Sequence, residues 1–503
     1  MEILSAEQIR AWDEYTMEHE PIASIDLMER AATSCYRWLD NSRYLGRSFS
    51  IYCGKGNNGG DGLALARMLA DAECPVTVHI LEFGFKGTDD FQINLARLHQ
   101  TSVEVRFIQG ADNFHPVPPD DVLIDALLGS GLNRNLDGVA AALVDHLNAS
   151  GNEIIAIDIP SGLFVSRSSR GTTVIRATHT LSFQCYKPAF LMPENAASVG
   201  AVHILDIGLH PGYLQQVSRE AELLDAGIVR AIFRPRPPFA HKGNFGHALL
   251  VAGSHGKMGA AVLGARACLR SGAGLLTCHV PGCGYAIMQT TVPEAMVIVD
   301  PDENIHSDLD EDISGYSVIG VGPGIGMEGR TVEFLRTLLA GCRRPMVLDA
   351  DALNILASSA DLWKLVPPYS ILTPHPKEFE RLFGPSSDDY ARISLASESA
   401  RQRRCVIVLK GHYSYIAMPG GKAYFNSTGN PGMAKGGSGD ALTGILTGLL
   451  SQGYSPGETA LLGVYLHGLA GDLAAAAWSQ ESMLASDLTD QLGQAFTEIQ
   501  KPS

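Results

Sequence analysis

Charge is scarce in this 503-residue chain, and positive charge is scarcer still. Asp, Glu, Lys and Arg make up 18%, with 38 basic residues against 54 acidic ones and a net charge of −16. A general nucleic-acid binder leans the other way, so no nucleic-acid partner is expected. One nucleotide in a locally positive pocket stays compatible with that balance. CxxC pairs are absent, and the nine cysteines are an odd number spread along the chain. The opening MEILSAEQIRAWDEY is amphipathic and not signal-like. Together these point to a reducing, cytoplasmic setting. No uninterrupted apolar run approaches the ~18 residues of a membrane span, so no membrane partner is expected. The Walker pattern GxxxxGK[ST] is missing, as are zinc-type Cys/His spacings and a Ser/His/Asp signature. Glycine goes the other way: 53 residues, about 10.5%, against a usual ~7%. It has no Gly-X-Y period. It clusters between apolar runs, where backbone must approach something closely. Hydrophobic residues at 45% exclude a disordered chain.

Short β-rich runs alternate with helical ones. SFSIYC precedes a glycine loop and the helical LALARMLADA, and VTVHIL, DVLIDAL, EIIAIDI, THTLSF and AVHILDI follow as strands. Strands separated by helical lengths predict a parallel α/β sheet. Ser5 with Gln8 predicts a capped helix at the start, and Ser24 opens a second. Near residues 210–243 the texture changes. A polar, helix-like stretch follows Gly212, and Pro235, Pro237 and Pro238 break regular structure. A second series starts at GHALLVAG and runs through LLTCHVP, YSVIGVG, PMVLDADA, YSILTPHP and CVIVLKG. It ends in a hairpin, SYIAMPGGKAYFN, and long small-residue helices. Two large α/β domains are expected, at 1–215 and 225–503.

The first glycine cluster runs from Gly54 to Gly62, and Gly54, Gly56 and Gly59 satisfy GxGxxG. Glu82 ends the next strand, as a dinucleotide-binding fingerprint requires. A tight turn without a ligand satisfies the same pattern. Polarity argues against an ordinary dehydrogenase, because Asn57, Asn58 and Asp61 crowd the place a pyrophosphate would take. Two more strand ends carry oxygen-bearing residues: Asp125 through Gly129 to Asn135, and Asp158 through Ser161. Ligands sit at the carboxyl ends of parallel strands. Asn58, Asp125 and Ser161 offer hard oxygen donors that suit an alkali or alkaline-earth cation. Each alone is more commonly an N-cap or Asx turn.

The second cluster, Thr428 to Asp440, precedes the helix ALTGILTGLL. Amides at a glycine-rich helix start form an anion hole. Asp440 beside it suits a general base that accepts a hydroxyl proton during phosphoryl transfer. Lys410–Ser414, Gly322–Gly326, Thr373–Glu378 and Gly253–Gly259 each follow a strand and fit a nucleotide-dependent pocket.

These motifs carry a resemblance. The second half resembles the ribokinase-like family through Gly437-Ser438-Gly439-Asp440. More narrowly it is similar to ADP/ATP-dependent NAD(P)H-hydrate dehydratases, through GPGIG, LDADALN, TPHPKE, LKG and NPGMAKGGSGD. The first half resembles NAD(P)H-hydrate epimerases through GNNGGDG, DALLGSGL, DIPSGL and IDLMERAA. Leu128 and Ser130 depart from an expected Phe and Thr, and Gln184–Pro188 is a variant segment, so Lys187 receives no role.

The resemblance implies two three-layer α/β domains, the first Rossmann-like and mostly parallel, the second ribokinase-like. It implies repair of NADH or NADPH hydrated at C6 of the nicotinamide ring. The first domain would interconvert the R and S hydrates, and the second would dehydrate one of them by phosphorylating the C6 hydroxyl. Implied hydrate-binding residues are Asn57, Asn58, Gly59, Gly60, Asp61, Gly129, Ser130, Gly131, Leu132, Asn133, Arg134, Asn135 and Asp158, with Asp158 as acid/base. K+ would sit on Asn58, Asp125 and Ser161. In the second domain Ala261, Gly324, Gly326 and His375 would line the hydrate pocket. Lys410, Gly411, His412, Tyr413, Ser414 and Gly439 would hold the nucleotide, and Asp440 would be the base. The expected phosphoryl donor is ADP (ATP possible) with Mg2+, and the expected assembly is a homo-oligomer. A small-molecule kinase with an accessory domain, a non-catalytic first domain and an NAD dehydrogenase remain alternatives.

Overall fold

Strands buried on both faces read as continuous apolar runs, and the chain's apolar runs become such strands. The computed structural model describes residues 2–82, 84–219, 221–308 and 311–501. It contains two compact units, Met1–Arg219 with Asp388–Tyr390, and Glu220–Ser387 with Ala391–Ser503.

The first unit comprises α1 (Ala6–His19), α2 (Ser24–Asn41), β1 (Phe49–Cys53), α3 (Asn57–Asp71), β2 (Val76–Leu81), α4 (Asp89–Leu98) and β3 (Glu104–Ile108). It continues through β4 (Val122–Ala126), α5 (Gly138–Ala149), β5 (Ile154–Ile157), β6 (His179–Phe183), α6 (Ala196–Val199) and β7 (Ala201–Leu205). Ser5 and Gln8 close the expected capping box on α1. The strands form one parallel sheet of order β3-β2-β1-β4-β5-β6-β7. All five residues of β1 and of β4 are buried.

The second unit opens with β8 (Ala221–Leu224), α7 (Ala226–Ile232), β9 (His247–Val251), α8 (Met258–Arg270), β10 (Leu275–Val280), α9 (Tyr285–Thr291) and β11 (Met296–Val299). Next come β12 (Val318–Val321), α10 (Gly329–Gly341), β13 (Val347–Leu348), α11 (Ala350–Ser358), β14 (Ile371–Leu372), α12 (Pro376–Phe383), α13 (Asp389–Arg403) and β15 (Val406–Leu409). The hairpin β16 (Tyr415–Ala417) and β17 (Ala423–Asn426) leads to α14 (Ser438–Ser451), α15 (Pro456–Trp478) and α16 (Ala485–Gln500). The sheet order is β11-β10-β9-β12-β13-β14-β15-β16-β17-β8, parallel except around β16. The stretch after Gly212 expected to be helix-like contributes the helix α7, but before it also β8, which pairs in parallel with β17. Pro235–Pro238 lie inside this unit, between α7 and β9. Among the described residues α15 is the helix long and apolar enough to cross a membrane. Here 56% of its apolar window is buried, packed on α16 and α14.

Candidate active sites

In the first sheet the strand order reverses between β1 and β4. Loops after those strands diverge and leave a crevice, and a cavity of about 580 Å3 opens there. That volume suits a small-molecule ligand. Asn57, Asn58 and Asp61 reach it from the head of α3, and Asp158 reaches it from the end of β5. The loop Gly129, Ser130, Gly131, Leu132, Asn133, Arg134 and Asn135 forms its rim. Gly59 and Gly60 do not line it. A Cβ on Gly59 would lie 1.8 Å from the Gly54 carbonyl oxygen, so this glycine lets α3 close onto β1. Glu82 is not presented as a ribose ligand; it accepts from the Lys55 ammonium at 2.6 Å.

Asp158 is the most constrained group. Its backbone is left-handed, with φ +68, a strained state that marks functional positions in non-glycine residues. Its Oδ2 accepts from the Ser130 N–H at 2.8 Å. Its Oδ1 lies 2.9 Å from Lys187 Nζ, and that fully buried ammonium also donates to Ser182 Oγ at 2.5 Å. Two further carboxyls face the cavity without such anchors. Burial, then the Asp158 charge, pushes Asp13 of α1 up to about 7. Burial, then Asp158 and Asp13, raises Asp61 well above the carboxylate range. One carboxylate is thus paired with a lysine while burial favours the protonated form of its neighbours, the arrangement that separates acid from base.

Below the cavity Asp125 and Ser161 are buried and bonded to each other. Ser161 Oγ donates to Asp125 Oδ1 at 2.6 Å, and the Ser161 N–H donates to Oδ2 at 2.7 Å. Burial pushes Asp125 up to about 6. Asn58 is buried as well, yet neither its amide nitrogen nor its carbonyl oxygen has a hydrogen-bond partner. Unpaired buried polar atoms cost about 1–3 kcal/mol, so a ligand is the natural partner. The hard-oxygen set expected for K+ fits this observation.

The second sheet reverses between β9 and β12. Here α14 starts from Gly437 with φ +98, a conformation glycine adopts without strain. Asp440 follows in the first turn. Burial, then the Asp349 charge, pushes Asp440 up to about 6, against the opposing pull of Lys410. Lys410 Nζ lies 2.9 Å from Asp349 Oδ1 and 3.9 Å from Glu378 Oε2. Burial disfavours its charge, but those two carboxylates hold the ammonium above its usual range. Thr443 Oγ1 fixes Asp349 from α14 at 2.8 Å. His467 is pushed down to about 4 by burial, so it is neutral and donates Nε2–H to the Ser438 carbonyl.

Around this centre the loops latch to one another. Ser254 Oγ donates to the Gly324 carbonyl at 2.7 Å. The Gly326 N–H donates to Asp351 Oδ2 at 2.9 Å. His375 caps α12 through Nδ1, which accepts from the Lys377 and Glu378 amides. Its ring is thereby oriented, as its two flanking prolines suggest. Gly411 and His412 are exposed, and Tyr413 and Ser414 are half-buried in the turn after β15.

Residues 24–189 match the family described as YjeF-related protein N-terminus, and residues 248–494 match NAD(P)H-hydrate dehydratase. A bifunctional NAD(P)H-hydrate repair enzyme of Moorella thermoacetica is 34% identical, covering 100% of this chain and 98% of that protein. One of Escherichia coli is 32% identical over 97% of this chain and 92% of its own length. The chain belongs to the bifunctional NAD(P)H-hydrate repair enzymes.

Among solved structures, a ribokinase-like superfamily protein of Enterococcus faecalis is similar, with a TM-score of 0.50 and 28% identity, covering 57% of this chain and 99% of that one. An ADP/ATP-dependent NAD(P)H-hydrate dehydratase of Bacillus subtilis, co-crystallised with ATP and Mg2+, gives a TM-score of 0.48 and 32% identity over 56% of this chain and 99% of its own. Epimerase and dehydratase stand in this repair enzyme in the order its motifs imply. A kinase with an accessory domain is not favoured.

Several neighbours of the expected site residues were not singled out by motif. Asp13 sits on an amphipathic helix whose charges read as a solvated face. Lys187 lies in the variant segment Gln184–Pro188, and the structure buries it on Asp158. Asp349 and Asp351 were visible only inside LDADALN, and Glu378 only inside TPHPKE. Ala261 is fully buried in the core beside Met258 and offers no surface to a ligand. Lys410 directs its ammonium to Asp349 and Glu378, while Gly411–Ser414 form the turn beyond it.

Proposed function

We propose that the first unit epimerises the hydrates by reversible opening at C6. Asp158 takes the C6 hydroxyl proton, the C6–N1 bond breaks to an aldehyde, and Asp13 gives its proton to the ring nitrogen. Rotation and the reverse transfers close the ring with either configuration. The Asp158–Lys187 pair and the Asp13 carboxyl, raised by burial, support this division. Asn58, Asp125 and Ser161 would hold K+, which when bound supplies positive charge beside the hydroxylated ring. The support for it is the unpartnered buried amide of Asn58.

In the second unit Asp440 takes the proton of the C6 hydroxyl of the S hydrate, and that oxygen attacks the terminal phosphorus of ADP, releasing AMP. The ring-nitrogen lone pair then expels phosphate, and loss of a C5 proton restores NAD(P)H. Mg2+ would accompany the nucleotide and offset its phosphate charge. Amides at the start of α14 stabilise charge developing on the phosphoryl oxygens. Gly324, Gly326 and His375 would face the hydrate, and Lys410 with Gly411–Ser414 and Gly439 the nucleotide. The observation that carries the reading is Asp440: a carboxyl poised near 6, in the first turn of α14, beside the Lys410–Asp349 pair. Self-association is supported by exposed Tyr285 and Ile287 on α9 beside Met296 and Val299 on the edge strand β11. Nine free cysteines fit a reducing, cytoplasmic setting.

The test is mixed R and S NADH hydrates with ADP and Mg2+, following 340 nm absorbance. With K+ the full signal returns, with one phosphate per NADH. With Na+ in its place only the S fraction returns rapidly. Equal time courses in the two salts would remove K+ from the epimerase, and no phosphate release would remove phosphorylation from the dehydratase.

A further inference from the structure

One face of α1 lines the cavity of the first unit. Ala6, Ile9, Arg10 and Asp13 all border it, at the i, i+3, i+4 and i+7 spacing that puts side chains on one stripe of a helix. Ala6 and Ile9 make that stripe partly apolar. Arg10 and Asp13 add two opposite charges, ~4.5 Å apart along the axis at 1.5 Å per residue.

The rim loop follows the same course. A Cβ on Gly129 would lie 2.8 Å from Asp158 Oδ2, and a Cβ on Gly131 would lie 3.9 Å from Arg10 Nη2. The loop thus runs from the Asp158 carboxylate to the Arg10 guanidinium, as α1 runs from Asp13 to Arg10. Arg134 follows in the same loop and also borders the cavity. Beside it the Asn133 carbonyl is anchored by the Arg167 guanidinium, which donates to it at 2.7 Å.

Charge decides what this end of the cavity can take. Among the described residues the lining carries four carboxyls, Asp13, Asp61, Asp137 and Asp158, and two basic side chains, Arg10 and Arg134. Both arginines are exposed, and among the described residues neither forms an ion pair. Glu7, three residues before Arg10, directs its carboxylate to Ser5 Oγ at 2.9 Å. An NAD(P)H hydrate carries a pyrophosphate one ribose away from its ring nitrogen. The glycine turn at a helix head is the usual seat of a pyrophosphate. Here the head of α3 presents Asn57, Asn58 and Asp61 to the cavity, so the phosphates need another wall.

We propose that Arg10, with Arg134, forms the seat of the substrate's pyrophosphate. The assignment rests on the epimerase reading above, in which Asp13 and Asp158 flank the ring. With Asp13 at the ring nitrogen, Arg10 stands about one helical turn away, the kind of displacement that one ribose spans between nitrogen and phosphorus. A guanidinium forks two N–H donors onto phosphate oxygens. The pyrophosphate takes no part in ring opening, so this contact is equally strong in the hydrate and in the opened aldehyde. Arg10 therefore binds the substrate without changing the rate of the bound ring.

The experiment uses the full-length protein without ADP, so that the dehydratase is idle, and follows conversion of the R hydrate to the S hydrate by chromatography. Two substrates are compared: NADH hydrate, and the hydrate of reduced nicotinamide riboside, which has the same ring and ribose but no phosphate. Arg10→Met should raise KM for NADH hydrate ~10-fold, the low end for a hydrogen bond to a charged group because the rim is open to solvent and salt. Its kcat should stay within twofold, as loss of uniform binding requires. On the riboside hydrate the gap between parent and variant should close. Arg10→Lys, which keeps the charge and loses the fork, should fall between them on NADH hydrate. A KM for NADH hydrate within twofold of the parent overturns the proposal. So does an equal loss on both substrates, which would place Arg10 at the ring or in the folding of α1. A parent that interconverts the NADH hydrates no faster than buffer fails the epimerase reading, and this assignment falls with it; that result is distinct, because it involves no variant.

Discussion

Gly129→Ala isolates the position of Asp158 with a single methyl group. A Cβ at residue 129 would lie 2.8 Å from Asp158 Oδ2 and 3.2 Å from Asn58 Cβ. The backbone of Gly129 lies outside the positive-φ region, so alanine is not strained there and the effect is steric. Ordinary contact begins near 3.4 Å, so the carboxylate must retreat about 0.6 Å (3.4 − 2.8). It cannot do so freely, because Ser130 N–H and Lys187 Nζ hold it at 2.8 and 2.9 Å. Losing one hydrogen bond to a charged group costs ~1.5–3 kcal/mol. At 1.4 kcal/mol per tenfold that is a ~10–150-fold slower epimerisation. The assay mixes R and S hydrates with ADP and follows 340 nm. The S phase should keep its rate, because the dehydratase residues lie in the other unit, and the R phase should slow by that factor. An R phase within twofold of the parent, from a variant of unchanged Tm, would refute the assignment of Asp158.

Asp440→Asn should abolish ADP-dependent return of NADH and leave R/S interconversion intact; residual dehydration above ~1% of the parent would unseat it as the base, since general-base terms are worth ~10²–10⁴. Because the Asp440 carboxyl titrates at about 6 and the base must be ionised, kcat/KM for dehydration should fall about tenfold per pH unit below that value. Lys410→Met removes the charge that holds Asp440 down, so this acidic limb should move to higher pH; a limb that stays in place would separate the two groups. Gly59→Ala forces a Cβ to 1.8 Å from backbone oxygen, whereas a Cβ on Gly56 meets nothing within 4 Å. The first should cost more than ~3 kcal/mol, beyond ordinary overpacking, and the second should leave Tm unchanged.

Which strands were legible follows from where they sit. β1, β4, β5 and β9 lie inside their sheets, and their two buried faces leave mostly apolar residues to read. β3, β8 and β11 were not expected, and all three are sheet edges. An edge strand keeps one side wet: EVRFI and AELL mix charge with apolar residues, and MVIV exposes Met296 and Val299. The signal is diluted at these edges, whereas β7, also an edge, keeps a run apolar enough to read in AVHIL.

The sites divide along a similar line. Glycine-rich turns were visible because close approach leaves a compositional mark, yet the glycines do two different jobs within one motif. Gly59 brings α3 onto the Gly54 carbonyl and Gly54 lets that turn meet the Leu127 backbone after β4, while Gly56 borders the cavity. The partners that tune the reacting groups leave no such mark. Lys187 lies 29 residues beyond Asp158, and Asp349 lies 91 residues before Asp440 (187 − 158 and 440 − 349). A charge acts through space with a strength set by distance and burial, and neither is written in spacing along the chain. Only the folded sheets supply that information, by ending β5 beside β6 in one and β13, β14 and β15 together in the other.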